Sequence, residues 1–449
     1  MRNSWFLWAS LALPAWGLTL HERDVPAVIG MDIQRKDIID PVARDRVRRK
    51  RDKTVGQVLD NEETLYFCNI TLGTPAQKLR LVLDTGSSDL WCNAPNSTLC
   101  ERRSDPCQDS GTYDSSSSSS YSFVSSDFNI TYADGSSAVG DYVTDTITIG
   151  GTTIKNFQFG VGYTSASAEG VLGIGYASNE VHLWLNDLDA NTGSILFGGV
   201  NTAKYHGALE TIPIQKLGNS YSEFIIALTA VAVSTSSKTH NYSSSSLPVG
   251  VLLDSGSSLT YLPDGIVQDI YQDLGVQYDS SNGIGLVPCS LAERDVNVSY
   301  TFSSPTIDVG VNELVINMGD YYFNNRERAC IFGIAPAGES TAVLGDTFLR
   351  SAYVVYDLAN NEISLANTNF NTTESNVVEI GTGTDSVPSA TAVANPVTSA
   401  AVGGSGARIG GITGGGGIFT TTENSAPKAT GMNQHLALGL AGAGYLLAL

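Results

Sequence analysis

Two short segments of this 449-residue chain place an aspartate where it could do acid–base chemistry. The first is Leu81-Val82-Leu83-Asp84-Thr85-Gly86-Ser87-Ser88. The second is Val251-Leu252-Leu253-Asp254-Ser255-Gly256-Ser257-Ser258. In each, an apolar strand-like run delivers one carboxyl to a tight turn. Gly86 and Gly256 remove side-chain bulk there and admit unusual backbone angles. The hydroxyls of Thr85, Ser87, Ser255 and Ser257 can bond across to the opposite loop or to the outer carboxylate oxygens. One such tetrapeptide alone is as often a plain strand-ending turn. Here a second echo follows: Val171-Leu172-Gly173 lies 89 residues beyond Asp84, counted to Gly173, and Val343-Leu344-Gly345 lies 91 beyond Asp254. Shared order and near-equal spacing indicate a duplicated lobe.

A pseudo-two-fold axis between two such lobes would set Asp84 against Asp254. Carboxyls about 3 Å apart cannot both ionise, so they share a proton. One then serves as general base on a water while the other protonates the scissile carbonyl. That chemistry needs neither metal nor cofactor. The chain contains no Cys-x-x-Cys, and its five histidines are scattered, so no zinc site is expected. A carbohydrate hydrolase could also use paired carboxylates. Two glycine-flanked aspartate turns in repeat argue against it. A non-catalytic binding protein on the same frame is the other alternative.

At these residues the chain resembles the pepsin-type aspartic proteases, and more closely their fungal GPI-anchored, yapsin-like branch. The resemblance covers roughly residues 62–370 and the layout of both ends. It implies an all-β, bilobal fold with pseudo-two-fold lobes around a cleft, and a catalytic pair at Asp84 and Asp254. The motifs at 171–173 and 343–345 are then the strands that thread beneath each catalytic loop. Thr85 and Ser255 would bond crosswise below the pair, and Ser87 and Ser257 would hold its outer oxygens. Ile130 through Ser136 contains Asp134-Gly135 between strand-like runs, a hairpin signal. Its position matches the family's substrate flap, with Tyr132 as flap tyrosine and Trp91 as its hydrogen-bonding partner. Polypeptide substrates follow, with basic residues near the scissile bond as a further expectation.

Six cysteines in an exported chain allow 15 disulfide connectivities. The resemblance implies a Cys289–Cys330 bridge in the second lobe, and Cys100–Cys107 closing the small loop after Trp91. Cys68 and Cys92 remain, and are expected to bridge neighbouring strands. In one respect the chain departs from the family. Only Tyr176 through Leu183 separate Gly175 from Trp184, where similar proteases carry a longer stretch that includes a surface helix. We read this as a missing coding segment; a genuinely short connection is the competing explanation.

The elements that position these residues sit inside a frame of processing signals. Arg2, the apolar run Phe6–Leu13 and Ala15-Trp16-Gly17 read as a signal peptide, 1–17. Residues 18–51, ending in Arg48-Arg49-Lys50-Arg51, read as a propeptide cut by a dibasic-processing protease. Residues 1–51 hold 10 basic and 6 acidic side chains, against 25 and 45 in the whole chain. A basic propeptide thus covers a strongly acidic body, which should seek neither nucleic acid nor anionic lipid. The lobes are expected at 52–205 and 206–370. Residues 371–424, rich in Ser, Thr, Gly and Ala, read as a flexible stalk. Residues 425–449 read as a GPI-attachment signal with Asn424 as the lipid-bearing residue, placing a monomeric enzyme at the plasma membrane or cell wall. Sequons at Asn69, Asn96, Asn129, Asn241, Asn297 and Asn371 fit a glycosylated surface protein.

Overall fold

Short apolar runs of β-branched and aromatic residues, punctuated by Gly, Asn and Ser, favour strands over helices. A computed structural model of the chain shows that outcome. It describes residues 28–36, 65–132, 136–176, 181–184, 192–242, 244–280, 282–323, 327–338, 340–381 and 383–402. The longest helix among them, Asp264–Leu274, has only 11 residues. The signal peptide, most of the propeptide, Asp134, Gly135, Asn424 and the attachment signal lie outside the described residues.

The first part of the chain supplies β1 (Ile29–Lys36), β2 (Leu65–Leu72), β3 (Gln77–Asp84), β4 (Leu90–Asn93), β5 (Ser122–Thr131), β6 (Ser137–Ile149), β7 (Thr152–Ser165), β8 (Gly170–Gly173), β9 (Val181–Trp184) and β10 (Thr192–Phe197). Next come β11 (Gly199–Asn201), β12 (Tyr205–Pro213), β13 (Ile225–Leu228), β14 (Ala230–Thr235), β15 (Thr239–Tyr242), β16 (Val249–Leu253) and β17 (Thr260–Leu262). The second lobe continues with β18 (Gln277–Asp279), β19 (Ile284–Pro288), β20 (Val296–Thr301), β21 (Thr306–Gly310), β22 (Val315–Tyr322), β23 (Arg328–Phe332), β24 (Ile334–Pro336) and β25 (Ala342–Leu344). Last come β26 (Ala352–Asp357), β27 (Glu362–Thr368), β28 (Val377–Glu379), β29 (Ala390–Ala392) and β30 (Ala401–Val402).

In the first lobe β2, β3, β8, β4, β7 and β6 pair in that order, and β2 pairs β6 to close the ring. Closure leaves these strands no free edge. Phe67, Val82, Trp91, Phe128, Ala138 and Val171 form a buried cluster on this frame. The same sheet continues from β2 through β1, β10, β9, β26 and β27 to β12, so strands of both lobes share it. In the second lobe β13, β16, β25, β17 and β24 form the sheet that carries the other aspartate. The all-β, bilobal expectation holds.

Two features differ from what the sequence led us to expect. β1 falls within the segment read as propeptide, yet it is built into the sheet, with Ile33 opposite Gly193 on β10 and Arg35 opposite Tyr66 on β2. The segment after residue 370 is not a free stalk as far as residue 402. Its strands pair with the body: β28 on β11, β29 on β12, and β30 on β16. The reason lies in two apolar residues among the small ones. Ile380 and Val387 are buried with Val200, Leu209, Tyr353 and Val355. The second lobe therefore extends to residue 402, and any stalk begins no earlier than 403.

Candidate active site

Each aspartate-bearing loop is held by a strand that runs beneath it. In the first lobe β3 lies parallel to β8, with Asp84 level with Gly173. The Ile174 amide donates to the Asp84 carbonyl at 2.8 Å, and the Gly175 amide to Ser87 at 2.7 Å. In the second lobe β16 lies parallel to β25, with Leu253 level with Leu344. The Asp254 amide donates to the Leu344 carbonyl at 3.1 Å, and the Asp346 amide to Ser257 at 2.8 Å. Glycine is required where these strands cross. A Cβ on Gly345 would stand 2.3 Å from the Ser257 carbonyl oxygen and 2.4 Å from that of Leu259. The echoed Val-Leu-Gly motifs thus sit in equivalent places, as their spacing implied.

The two loops meet through a crosswise set of hydrogen bonds. Thr85 Oγ1 donates to the Leu253 carbonyl at 3.0 Å, and Ser255 Oγ to the Leu83 carbonyl at 3.1 Å. In return the Ser255 amide donates to Thr85 Oγ1 at 2.9 Å, and the Thr85 amide to Ser255 Oγ at 3.2 Å. Thr85 and Ser255 are buried. Four bonds in a water-poor site lock the two carboxyl-bearing loops in one relation.

Around each carboxyl the pattern is the same. The Gly86 amide donates to Asp84 Oδ1 at 2.9 Å and Ser87 Oγ to Asp84 Oδ2 at 2.6 Å. The Gly256 amide donates to Asp254 Oδ1 at 2.8 Å and Ser257 Oγ to Asp254 Oδ2 at 2.6 Å. The Oδ2 atoms are thus the hydroxyl-held ones in both lobes. A Cβ built on Gly86 would lie 2.8 Å from Asp254 Oδ1 and 3.2 Å from Asp84 Oδ1. One point therefore touches both inner oxygens, and glycine leaves it free. Asp84 and Asp254 are 1% and 8% exposed, so the pair meets little bulk water.

Trp91 Nε1 donates to Tyr132 Oη at 2.6 Å, the hydrogen bond expected between these two residues. The Tyr132 amide donates to the Ser136 carbonyl at 2.9 Å, which closes the hairpin between β5 and β6. Asp134 and Gly135 lie outside the described residues.

Two of the three expected disulfides form, Cys100–Cys107 and Cys289–Cys330. The third does not: Cys68 and Cys92 are free and buried. Their strands are not neighbours, because β3 and β8 stand between β2 and β4. The Cys68 thiol instead donates to the Leu81 carbonyl at 3.6 Å. Burial pushes the Cys68 thiol up to about 12 and raises that of Cys92 further, so neither is a nucleophile. Asn69, Asn96, Asn129, Asn241 and Asn371 are exposed, and Asn297 is half-buried on β20. No group of three or more metal-ligating side chains occurs among the described residues.

A residue that motif reading missed is Glu223. Burial, and then the charge of Asp254, raise its pKa above the usual carboxylate range. No local pattern marks it; only the pairing of β13 with β16 brings it to the site.

A family model described as "Eukaryotic aspartyl protease" matches residues 65–368. The "Probable aspartic-type endopeptidase opsB" of Aspergillus oryzae is 64% identical over 488 aligned positions, covering 100% of each chain. The protein of the same name from Aspergillus fumigatus is 61% identical, covering 96% of each. "Aspartic proteinase yapsin-3" of Saccharomyces cerevisiae is 32% identical, covering 82% of this chain and 76% of its own. The yapsin-like likeness is therefore present, but at lower identity than that to the opsB proteins. The first alignment spans 488 positions against a chain of 449 residues, so about 39 positions of the relative have no counterpart here.

Proposed function

This chain belongs to the eukaryotic aspartyl protease family, and on that premise we propose that it is a secreted, surface-anchored endopeptidase working at acidic pH. It is a hydrolase of peptide bonds, the activity for which its relatives are named. The observation that carries the reading is the meeting of Asp84 Oδ1 and Asp254 Oδ1 at Gly86, fixed from below by Thr85 and Ser255. Water held between the inner oxygens is activated by the ionised member of the pair. The protonated member gives its proton to the carbonyl oxygen as the tetrahedral intermediate forms. Ser87 and Ser257 hold the outer oxygens, so both carboxyls keep their orientation while the shared proton moves. Tyr132, steadied by Trp91, covers the bound peptide.

The finer parts rest on sequence features. The apolar run Phe6–Leu13 supports export, and Arg48 through Arg51 supports activation by a dibasic-processing protease. The Gly-rich stretch after residue 402 and the apolar run from Leu436 support a GPI anchor at the membrane or in the wall. The acidity of the body is compatible with substrates carrying basic residues near the scissile bond.

The test is to incubate the processed protein at about pH 4, an acidity at which one carboxyl of such a pair is protonated, with a denatured protein and with a β-glucan. Cleavage of the protein alone, blocked by a statine-type transition-state mimic, is the expected result. Cleavage of the glucan, or of neither, would overturn it. The roughly 39 positions absent from this chain favour a second reading, a binding protein on the same frame. That reading requires binding of denatured protein without cleavage in the same assay.

A further inference from the structure

We infer that the Arg103–Ser104 peptide bond is a second processing site, cut by a dibasic-specific protease, which leaves a two-chain protein joined by Cys100–Cys107. The inference rests on the reading of Arg48 through Arg51 as the first such site.

Beyond residue 51 the chain contains one pair of adjacent basic residues, Arg102-Arg103. The pair lies inside the small loop that the Cys100–Cys107 disulfide closes. Glu101, Arg102, Arg103, Ser104 and Asp105 are all exposed. The Asp105 amide donates to the Arg102 carbonyl at 2.9 Å, so these four residues form a tight turn with the Arg103–Ser104 bond at its tip. Asp105 closes the turn at a φ of 45°, in the left-handed region. Neither Arg103 nor Ser104 takes part in a backbone hydrogen bond among the described residues. Exposed polar loop tips are where proteases nick folded chains, and a segment held by so few bonds opens locally at little cost.

The side chains are available as well. Among the described residues neither Arg102 nor Arg103 makes a side-chain hydrogen bond or ion pair. Other arginines of the body are committed to the fold. Arg350 is buried on Glu313, Arg80 lies over the Phe67 ring at 3.9 Å, and Arg328 donates to Asn317 at 3.1 Å. The exposed pair thus offers both guanidinium groups to a protease that reads them.

Hydrolysis there consumes one water, leaving a carboxylate on Arg103 and an ammonium on Ser104. The smaller piece, 52–103, carries Asp84 and Trp91, while Tyr132 and Asp254 stay on the larger. The fold keeps them together. β2 pairs β6, β3 pairs β8, and β4 pairs both β7 and β8, all across the cut. Cys100 and Cys107 stand on opposite sides of the cut, so their bridge becomes the covalent link between the two aspartates.

The test treats the folded full-length precursor, and its Arg103→Ala variant, with a protease specific for the bond after paired basic residues. Products are read by gels with and without reductant and by N-terminal sequencing. The wild type should give one band without reductant and two with it, with new N-termini at Asp52 and Ser104. Arg103→Ala should keep the Asp52 terminus and lose both the Ser104 terminus and the second band. Without reductant the cut wild type should still melt cooperatively, as the cut variant does. Loss of that transition would mean that only unfolded chains are nicked, and would overturn the inference. An Asp52 terminus without Ser104 sinks this inference alone; neither terminus sinks the propeptide reading with it.

Discussion

A methyl group at residue 86 would stand 2.8 Å from Asp254 Oδ1, with the Asp254 carboxyl carbon at 3.1 Å. Gly86→Ala must therefore part the two carboxyls. Gly86 is exposed toward the cleft, so the cost falls on chemistry rather than on packing. Misplacement by about 1 Å can lower a rate roughly 100-fold. We expect kcat/KM to fall by at least that factor with Tm nearly unchanged, and kinetics beside a thermal melt will check it. The cysteines give a second residue-scale expectation. In the native protein a thiol-alkylating reagent should label neither Cys68 nor Cys92, both buried with raised thiol pKa. In denaturant it should label two thiols per chain, read by mass. The candidate catalytic residues were legible in the sequence because the proposed chemistry is local: each carboxyl, glycine and hydroxyl falls within four consecutive residues. Cys68 and Glu223 were not. The partner of each depends on which strands are neighbours and in what register, and neither is written in the nearby residues.

Between strands, the duplication was visible as the repeated Val-Leu-Gly motif, and the structure shows both copies threading under their loops. What composition concealed was the course of residues 371–402. Ser, Thr and Ala suggested a chain too polar to pack, yet Ile380 and Val387 are enough to seat it. Its last strand, β30, lies beside Val249 and Gly250 on the strand that leads to Asp254. Removing this segment uncovers the edge of β16 and takes away Ile380 and Val387, which cover Val200, Leu209, Tyr353 and Val355; each fully buried side chain is worth about 1.5–3 kcal/mol. A chain stopped after residue 402 should melt like the longer protein. One stopped after residue 370 should melt several degrees lower or fail to accumulate. Equal melting of the two would show that the segment contributes nothing.

For the whole molecule, several half-buried carboxyls tie stability to pH. Burial raises the pKa of Asp89, Glu223 and Glu362, and a charged neighbour adds to the rise in the latter two. A raised folded value means the native state holds these protons more tightly than the unfolded chain. The stability they contribute is present below the ordinary carboxylate range and is lost as pH rises through the raised values. Asp145 opposes them: burial pushes it up, but hydrogen bonds from Ser118, Ser120, Tyr113 and Thr146 outweigh that and hold it low. Its contribution is lost as pH falls. Glu223→Gln should therefore flatten the decline in Tm on the neutral side and leave the acid side unchanged, as melts across a pH series will show. The central claim spans both lobes, since each provides one carboxyl and neither suffices alone. Its most direct test is the initial rate of peptide cleavage by the processed protein and by folded Asp84→Asn and Asp254→Asn variants at acidic pH. Each substitution should lower the rate by at least about 1,000-fold, as removal of an acid–base group within a cooperating unit does. Full activity in either variant would contradict the shared-proton pair.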